Sequence, residues 1–207
     1  MCGIIGYTGE SQVLPKLFCG LESLEYRGYD SAGVAFYETT AGMICLKAKG
    51  RVSEVKALAT GYERDLGRCI DAYCGIGHTR WATHGGVTEN NAHPHVSSDH
   101  RVVLVHNGII ENAREIRADL EAHGIKFHTE TDTESAVQYL GYVYDGDPKA
   151  AIVKLTKRIR GAFALVIMFY DKPNEIWVAR KGSPLVVGRA ENEGFCASDP
   201  TALLEYT

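Results

Sequence analysis

Apolar residues at helical spacing first appear at 13–25, where Val13, Leu14, Leu17, Phe18, Leu21 and Leu24 fall on one face. Pro15 sits in the first turn of that expected helix, where a missing N–H costs least. Before it, GIIGYTG at 3–9 reads as a short strand with glycine at every third place, a spacing suited to close backbone approach around the terminus. After it, the polar run Tyr26–Ser31 breaks the helix. Gly33–Tyr37 and Met43–Leu46 then form an expected hairpin turned near Thr39–Gly42. Val52, Val55 and Leu58 suggest one further helix, and Tyr73–Gly77 a strand that leads into a polar stretch. Arg101–Val105 is a compact apolar strand. Three amphipathic faces follow: Ile116 with Leu120, then Ala136, Val137, Leu140 and Val143, then Ala151, Ile152, Leu155 and Ile159. Glycines at 124, 141 and 146 punctuate them. The rest turns back to strands at 162–170, 175–179, 185–188 and 195–197, the first apolar on both faces as a strand covered on both sides must be.

Strands at both ends with helices grouped between them predict layered α+β architecture, not a doubly wound sheet. Nothing in the pattern marks a linker or repeat, so residues 2–207 are expected to form one domain. The apolar end Thr201–Thr207 reads as helix or strand and looks cut from something longer. At 207 residues with 45 % hydrophobic positions the chain can bury a sizeable core. A net charge of −4 gives no reason to expect nucleic acid or an anionic membrane as partner. There is no apolar run long enough to span a bilayer and no signal-peptide pattern at the start. The six cysteines are scattered, which suits a reducing compartment and a cytoplasmic protein.

Candidate chemistry begins at the second residue. Removal of Met1 would leave Cys2 with a thiol and a free α-amine on one residue, so the nucleophile would carry its own base. A buried, inert cysteine is the plain alternative. Between 78 and 112 polar residues are dense: HTRWATHGG at 78–86, NAHPH at 91–95 and HNGIIEN at 106–112. His78, His95 and His106 each read equally as hydrogen-bonded structural groups. No histidine or cysteine spacing matches a structural zinc site, so no metal is expected. Arg80 offers a fork for a carboxylate and Asp132 a charge for an ammonium, a pair able to clamp an amino acid by both ends. Asn107 with the Gly108 N–H could stabilise an oxyanion. In TETDTE at 129–134, Thr131 or Asp132 could instead cap the next helix.

On these stretches, together with CGI at 2–4, YRGYDSAG at 26–33, GSPLVVG at 182–188 and ASDPTALL at 197–204, the chain resembles the N-terminal glutaminase domains of the glutamine–fructose-6-phosphate aminotransferases, a class II amidotransferase family. The resemblance runs from Cys2 to the end. It implies the N-terminal-nucleophile hydrolase fold, a four-layer αββα sandwich with two antiparallel sheets. It further implies Cys2 as nucleophile, Asn107 and Gly108 as oxyanion hole, Arg80 for the glutamine α-carboxylate and Asp132 for its α-amine. Trp81, Thr83, His84 and His93 would belong to the glutamine pocket and its closing loop, and Arg27 would lie beside the terminal cysteine. Gly86-Val87 departs from the Glu-Pro common in the family and bears on loop stiffness. No cofactor is implied. The implied partners are L-glutamine and a C-terminal sugar isomerase module, with a dimer expected of the longer protein and a monomer of the isolated domain. Three rivals stay open at this point: the glutaminase domain of another class II enzyme, a silent glutamine-binding domain, and a metal-dependent hydrolase built on the histidines.

Overall fold

A computed structural model describes residues 2–82, 85–204 and 206. Two antiparallel sheets lie face to face. The first has six strands in the order β3-β2-β4-β1-β10-β9, formed by β1 (Gly3–Thr8), β2 (Ser31–Glu38), β3 (Gly42–Lys49), β4 (Ala72–Arg80), β9 (Val186–Ala190) and β10 (Glu193–Ala197). The second has four, in the order β5-β6-β7-β8, from β5 (His95–Val96), β6 (Val102–Gly108), β7 (Phe163–Phe169) and β8 (Trp177–Lys181). Helices α1 (Val13–Leu24) and α2 (Val52–Leu66) cover the first sheet, and α3 (Ala113–Ala122), α4 (Asp132–Val143) and α5 (Pro148–Arg158) cover the second. This is the αββα sandwich that the resemblance implies. Among the described residues no helix is long and apolar enough to cross a membrane.

The period of two along each strand assigns residues to layers. Ile5 and Tyr7 of β1 pack under α1, while Ile4 points into the layer between the sheets with Ile76, Val103, Val105, Ala164, Val166 and Met168. On β7 the odd positions Phe163, Leu165, Ile167 and Phe169 meet the helices of the second sheet. That accounts for the doubly apolar run at 162–170. The close approach expected around the terminus is present: a Cβ at Gly3 would come within 2.6 Å of Thr79 Oγ1 and 2.8 Å of Leu24 Cβ.

Several expectations need correction. The helix at 52 forms, but Leu58 is exposed and Ala59 takes the buried place, because the face advances by four residues there. Gly141 does not end a helix. It lies inside α4, where a Cβ would meet Ser97 Cβ at 2.8 Å, so it lets the helix sit close against the β5 connection. Ile159 is buried but follows the end of α5. The strands expected at 175–179 and 185–188 are shifted to Trp177–Lys181 and Val186–Ala190. β4 runs on past Gly77 to Arg80, carrying part of the polar stretch into the sheet. Pro200–Ala202 is a short 3-10 helix, and Leu203 and Leu204 follow in turn conformation rather than helix or strand.

Candidate active site

The inter-sheet layer changes character at one end. Along β4 the inward positions run Cys74, Ile76, His78, Arg80, and along β6 they run Val103, Val105, Asn107. Strand β1 continues the same stripe backwards from Ile4 to Cys2. Apolar contacts thus give way to polar groups on adjoining strands at the same level, and they meet in a small cleft of about 40 Å³. Its lining includes Cys2, Arg80, Trp81, His93, Gly108 and Asp132. A larger cleft of about 680 Å³ shares Thr131 and Asp132 with it and extends toward Arg114 and Arg117.

Cys2 is held by main chain. The Trp81 N–H donates to Cys2 Sγ at 3.3 Å, and the thiol lies 3.7 Å from the Trp81 carbonyl oxygen. Burial pushes the thiol pKa up, opposed by the Trp81 N–H and the Arg80 charge. The turn that supplies these groups is fixed by the YRGYDSAG stretch: Asp30 N–H donates to the Arg80 carbonyl at 2.9 Å, and the Asp30 carboxylate accepts from the Ala82 N–H. Gly28, at φ 136°, lies directly under Trp81; a Cβ there would fall 2.7 Å from Trp81 Cβ. Gly28 and Asp30 shape the turn next to Cys2, a part that residue chemistry alone did not single out, although both lie within YRGYDSAG at 26–33.

Asn107 bridges the sheets. Its Nδ2 donates to the Cys2 carbonyl at 3.1 Å, and its Oδ1 lies 3.0 Å from His78 Nε2. Gly108 follows at φ 134°, and a Cβ there would lie 2.0 Å from the Ala162 carbonyl oxygen. Only glycine fits this turn out of β6.

Arg80 is buried, and its Nη1 donates to the Gly86 carbonyl at 3.3 Å. The Glu130 carboxylate anchors the same loop, accepting from Gly86 N–H and Asn91 Nδ2 at 2.9 Å each. At the start of α4 the two candidate caps separate. Thr131 takes the cap, its hydroxyl accepting from the Glu134 N–H at 3.3 Å. Asp132 is therefore free to face the cleft, where Oδ2 accepts from the Ile110 N–H at 2.7 Å.

His93 lines the cleft, stacks on His78 at 4.1 Å between ring centres, and accepts the His106 N–H on Nδ1. His106 and His95 bond to Thr133 and Thr131. Arg27 pairs with Asp199 at 2.9 Å, beyond the end of β10. Thr83 and His84 lie outside the described residues.

The family model described as "Glutamine amidotransferase domain" matches residues 78–205. Glutamine–fructose-6-phosphate aminotransferase [isomerizing] of Aquifex aeolicus is 47 % identical over 208 residues, covering 100 % of this chain and 34 % of that protein. The protein of the same name from Thermus thermophilus is 48 % identical over 207 residues, covering 100 % and 33 %. Among solved structures, glutamine phosphoribosylpyrophosphate amidotransferase from B. subtilis, complexed with ADP and GMP, superposes with a TM-score of 0.79 at 27 % identity, covering 98 % of this chain and 43 % of that one. The chain thus spans about a third of the length of the curated relatives it matches. On these matches the chain belongs to the glutamine amidotransferase domain family, class II, and corresponds to the N-terminal part of the glutamine–fructose-6-phosphate aminotransferases.

Proposed function

We propose that this chain hydrolyses the side-chain amide of L-glutamine to glutamate and ammonia through a thioester on Cys2. The observation that carries the reading is convergence: a thiol, a guanidinium and a carboxylate line one cleft, beside an asparagine amide already bonded to the cysteine's own carbonyl. Arg80 takes the substrate α-carboxylate and Asp132 its α-ammonium, which directs the carboxamide to Cys2. The free Cys2 amine accepts the thiol proton, and the sulfur attacks the amide carbon. The oxyanion is held by Asn107 Nδ2, whose second N–H is not needed for the Cys2 carbonyl, and by the Gly108 N–H. The protonated amine gives its proton to the leaving nitrogen and ammonia departs. Water then attacks the thioester, releasing glutamate and restoring the thiol.

Trp81, Thr83, His84 and His93 complete the substrate pocket and its covering loop in this reading, and Arg27 supports the terminus through Asp199. The domain acts as one unit over residues 2–207 and needs no cofactor. In a longer chain the ammonia passes to a sugar isomerase module that converts fructose 6-phosphate to glucosamine 6-phosphate, in a cytoplasmic, dimeric protein. Glutamate release from glutamine tests the reading, together with the intact mass after treatment with a glutamine-like electrophile. Release with an adduct mapped to Cys2 supports it. Binding without release or adduct would leave a silent glutamine-binding domain. Activity abolished by a chelator would point instead to a metal-dependent hydrolase.

A further inference from the structure

The hydrogen bonds around Asn107 leave its amide one orientation. The Cys2 carbonyl can only accept, so the group 3.1 Å from it must be the Asn107 NH2. On the other side, His78 Nε2 lies 3.0 Å from Asn107 Oδ1 and 3.1 Å from the His106 carbonyl oxygen. Both neighbours are acceptors, so Nε2 carries the proton and donates to them. Nδ1 of His78 is buried and has no partner among the described residues, which suits the lone-pair side of that tautomer. His78 itself cannot tilt freely. It is fully buried between the sheets, its ring is stacked on His93, and its strand position pairs with Ile4 of β1 and Gly33 of β2.

We infer that His78 is a positioning residue: its Nε2–H fixes the Asn107 amide with the NH2 toward the reaction centre, so that the oxyanion donor is aligned before charge develops. The inference rests on the glutaminase reading. Without His78 the Asn107 side chain could rotate, or present its oxygen to the developing negative charge. Stabilisation would then be lost in the transition state rather than in glutamine binding. His78 touches no reacting atom in this arrangement and acts through Asn107.

The test compares His78→Gln with His78→Asn, using the chain with its Cys2 amine free. A glutamine amide nitrogen reaches about as far as Nε2 of histidine and can still donate, whereas asparagine is too short. H78N should lower kcat by about 10- to 100-fold with KM held within about threefold. H78Q should stay within about fivefold of the parent kcat. Alkylation of Cys2 by iodoacetamide needs no oxyanion hole, and its rate should match the parent in both. In an N107A background, H78N should cause no further loss of kcat beyond about twofold, because the group it serves is gone. Equal kcat for H78N and H78Q, a loss confined to KM, or multiplicative losses in the double variant would each overturn the positioning role. A parent chain that releases no glutamate would instead negate the glutaminase reading.

Discussion

The Cys2 sulfur and the Trp81 main chain form a closed pair: the Trp81 N–H donates to Sγ at 3.3 Å and the Trp81 carbonyl faces the thiol at 3.7 Å. Among the described residues, no side chain shares in the hydrogen bonding of Sγ. Burial raises the thiol pKa, so at neutral pH the sulfur waits as a thiol, and attack requires a base brought to it. Among the described residues no histidine bonds to Sγ, and in the proposed mechanism the proton acceptor is the α-amine of the same residue.

Asn107→Ala should lower kcat by about 10²–10³ with a smaller change in KM, since its donor matters most when charge appears on the carboxamide oxygen. Steady-state glutaminase kinetics check this. A raised KM with kcat intact would place Asn107 in ground-state binding.

Asp132→Asn separates charge from geometry. The variant keeps an oxygen acceptor for the Ile110 N–H but loses the negative charge that faces a substrate ammonium. Losing a desolvated charge partner costs about 2–5 kcal/mol, which is at least about 30-fold in KM for glutamine. Unchanged KM in D132N would leave Asp132 the structural task of fixing the Ile110 turn.

Much of this site can be read from the chain because strand alternation places Cys2, His78, Arg80 and Asn107 on the same faces as Ile4, Ile76 and Val105. What alternation cannot reveal is which stripe faces which. The β1–β10 pairing of Ile5 with Ala197, and the His78–Asn107 bond across the sheets, depend on long-range closure of the sandwich. The two-residue strand β5 is too short to leave a periodic signal. Thr131 and Asp132 are both competent caps by residue type, and only the observed bond from the Glu134 N–H separates cap from site. Leu58 is the opposite case, a strong apolar residue overruled by the helix face on which it falls.

Four buried histidines set an acid limit on stability. Burial lowers the pKa of His78 to about 3, and lowers those of His93, His95 and His106 as well. The unfolded chain takes up these protons near pH 6.5 while the folded one does not, so stability is full above that pH and falls below it. Each histidine contributes up to about 1.4 kcal/mol per pH unit in this window. Glu38, whose carboxylate is pushed up by burial yet held at about 2 by Thr40, Arg68 and Ala41, keeps its contribution until the pH falls to about 4.5 and loses it progressively between there and about 2. Urea midpoints measured from pH 7.5 to 5 should therefore fall before the carboxylates begin to titrate. A flat profile across that interval would contradict the neutral, buried state of the cluster.

In a chain that keeps Met1, the nitrogen of Cys2 is a peptide amide with no basic lone pair, and it cannot take the thiol proton. The Trp81 contacts to Sγ would persist, because they involve the side chain and the main chain of residue 81 rather than the α-nitrogen. Protein with a free Cys2 amine should hydrolyse glutamine, while Met1-retaining protein should be nearly inactive with the same thermal stability. Cys2→Ala should abolish hydrolysis yet retain glutamine binding through Arg80 and Asp132. Substitution at Cys19, Cys45, Cys69, Cys74 or Cys196 should affect stability at most, with the largest cost at Cys74 and Cys196, which are buried between the sheets. The measurement is glutamate release from samples whose first residue has been established by mass spectrometry. Comparable turnover by a verified Met1-retaining sample would remove the α-amine as base, and the proton acceptor would then have to be a side chain of the cleft.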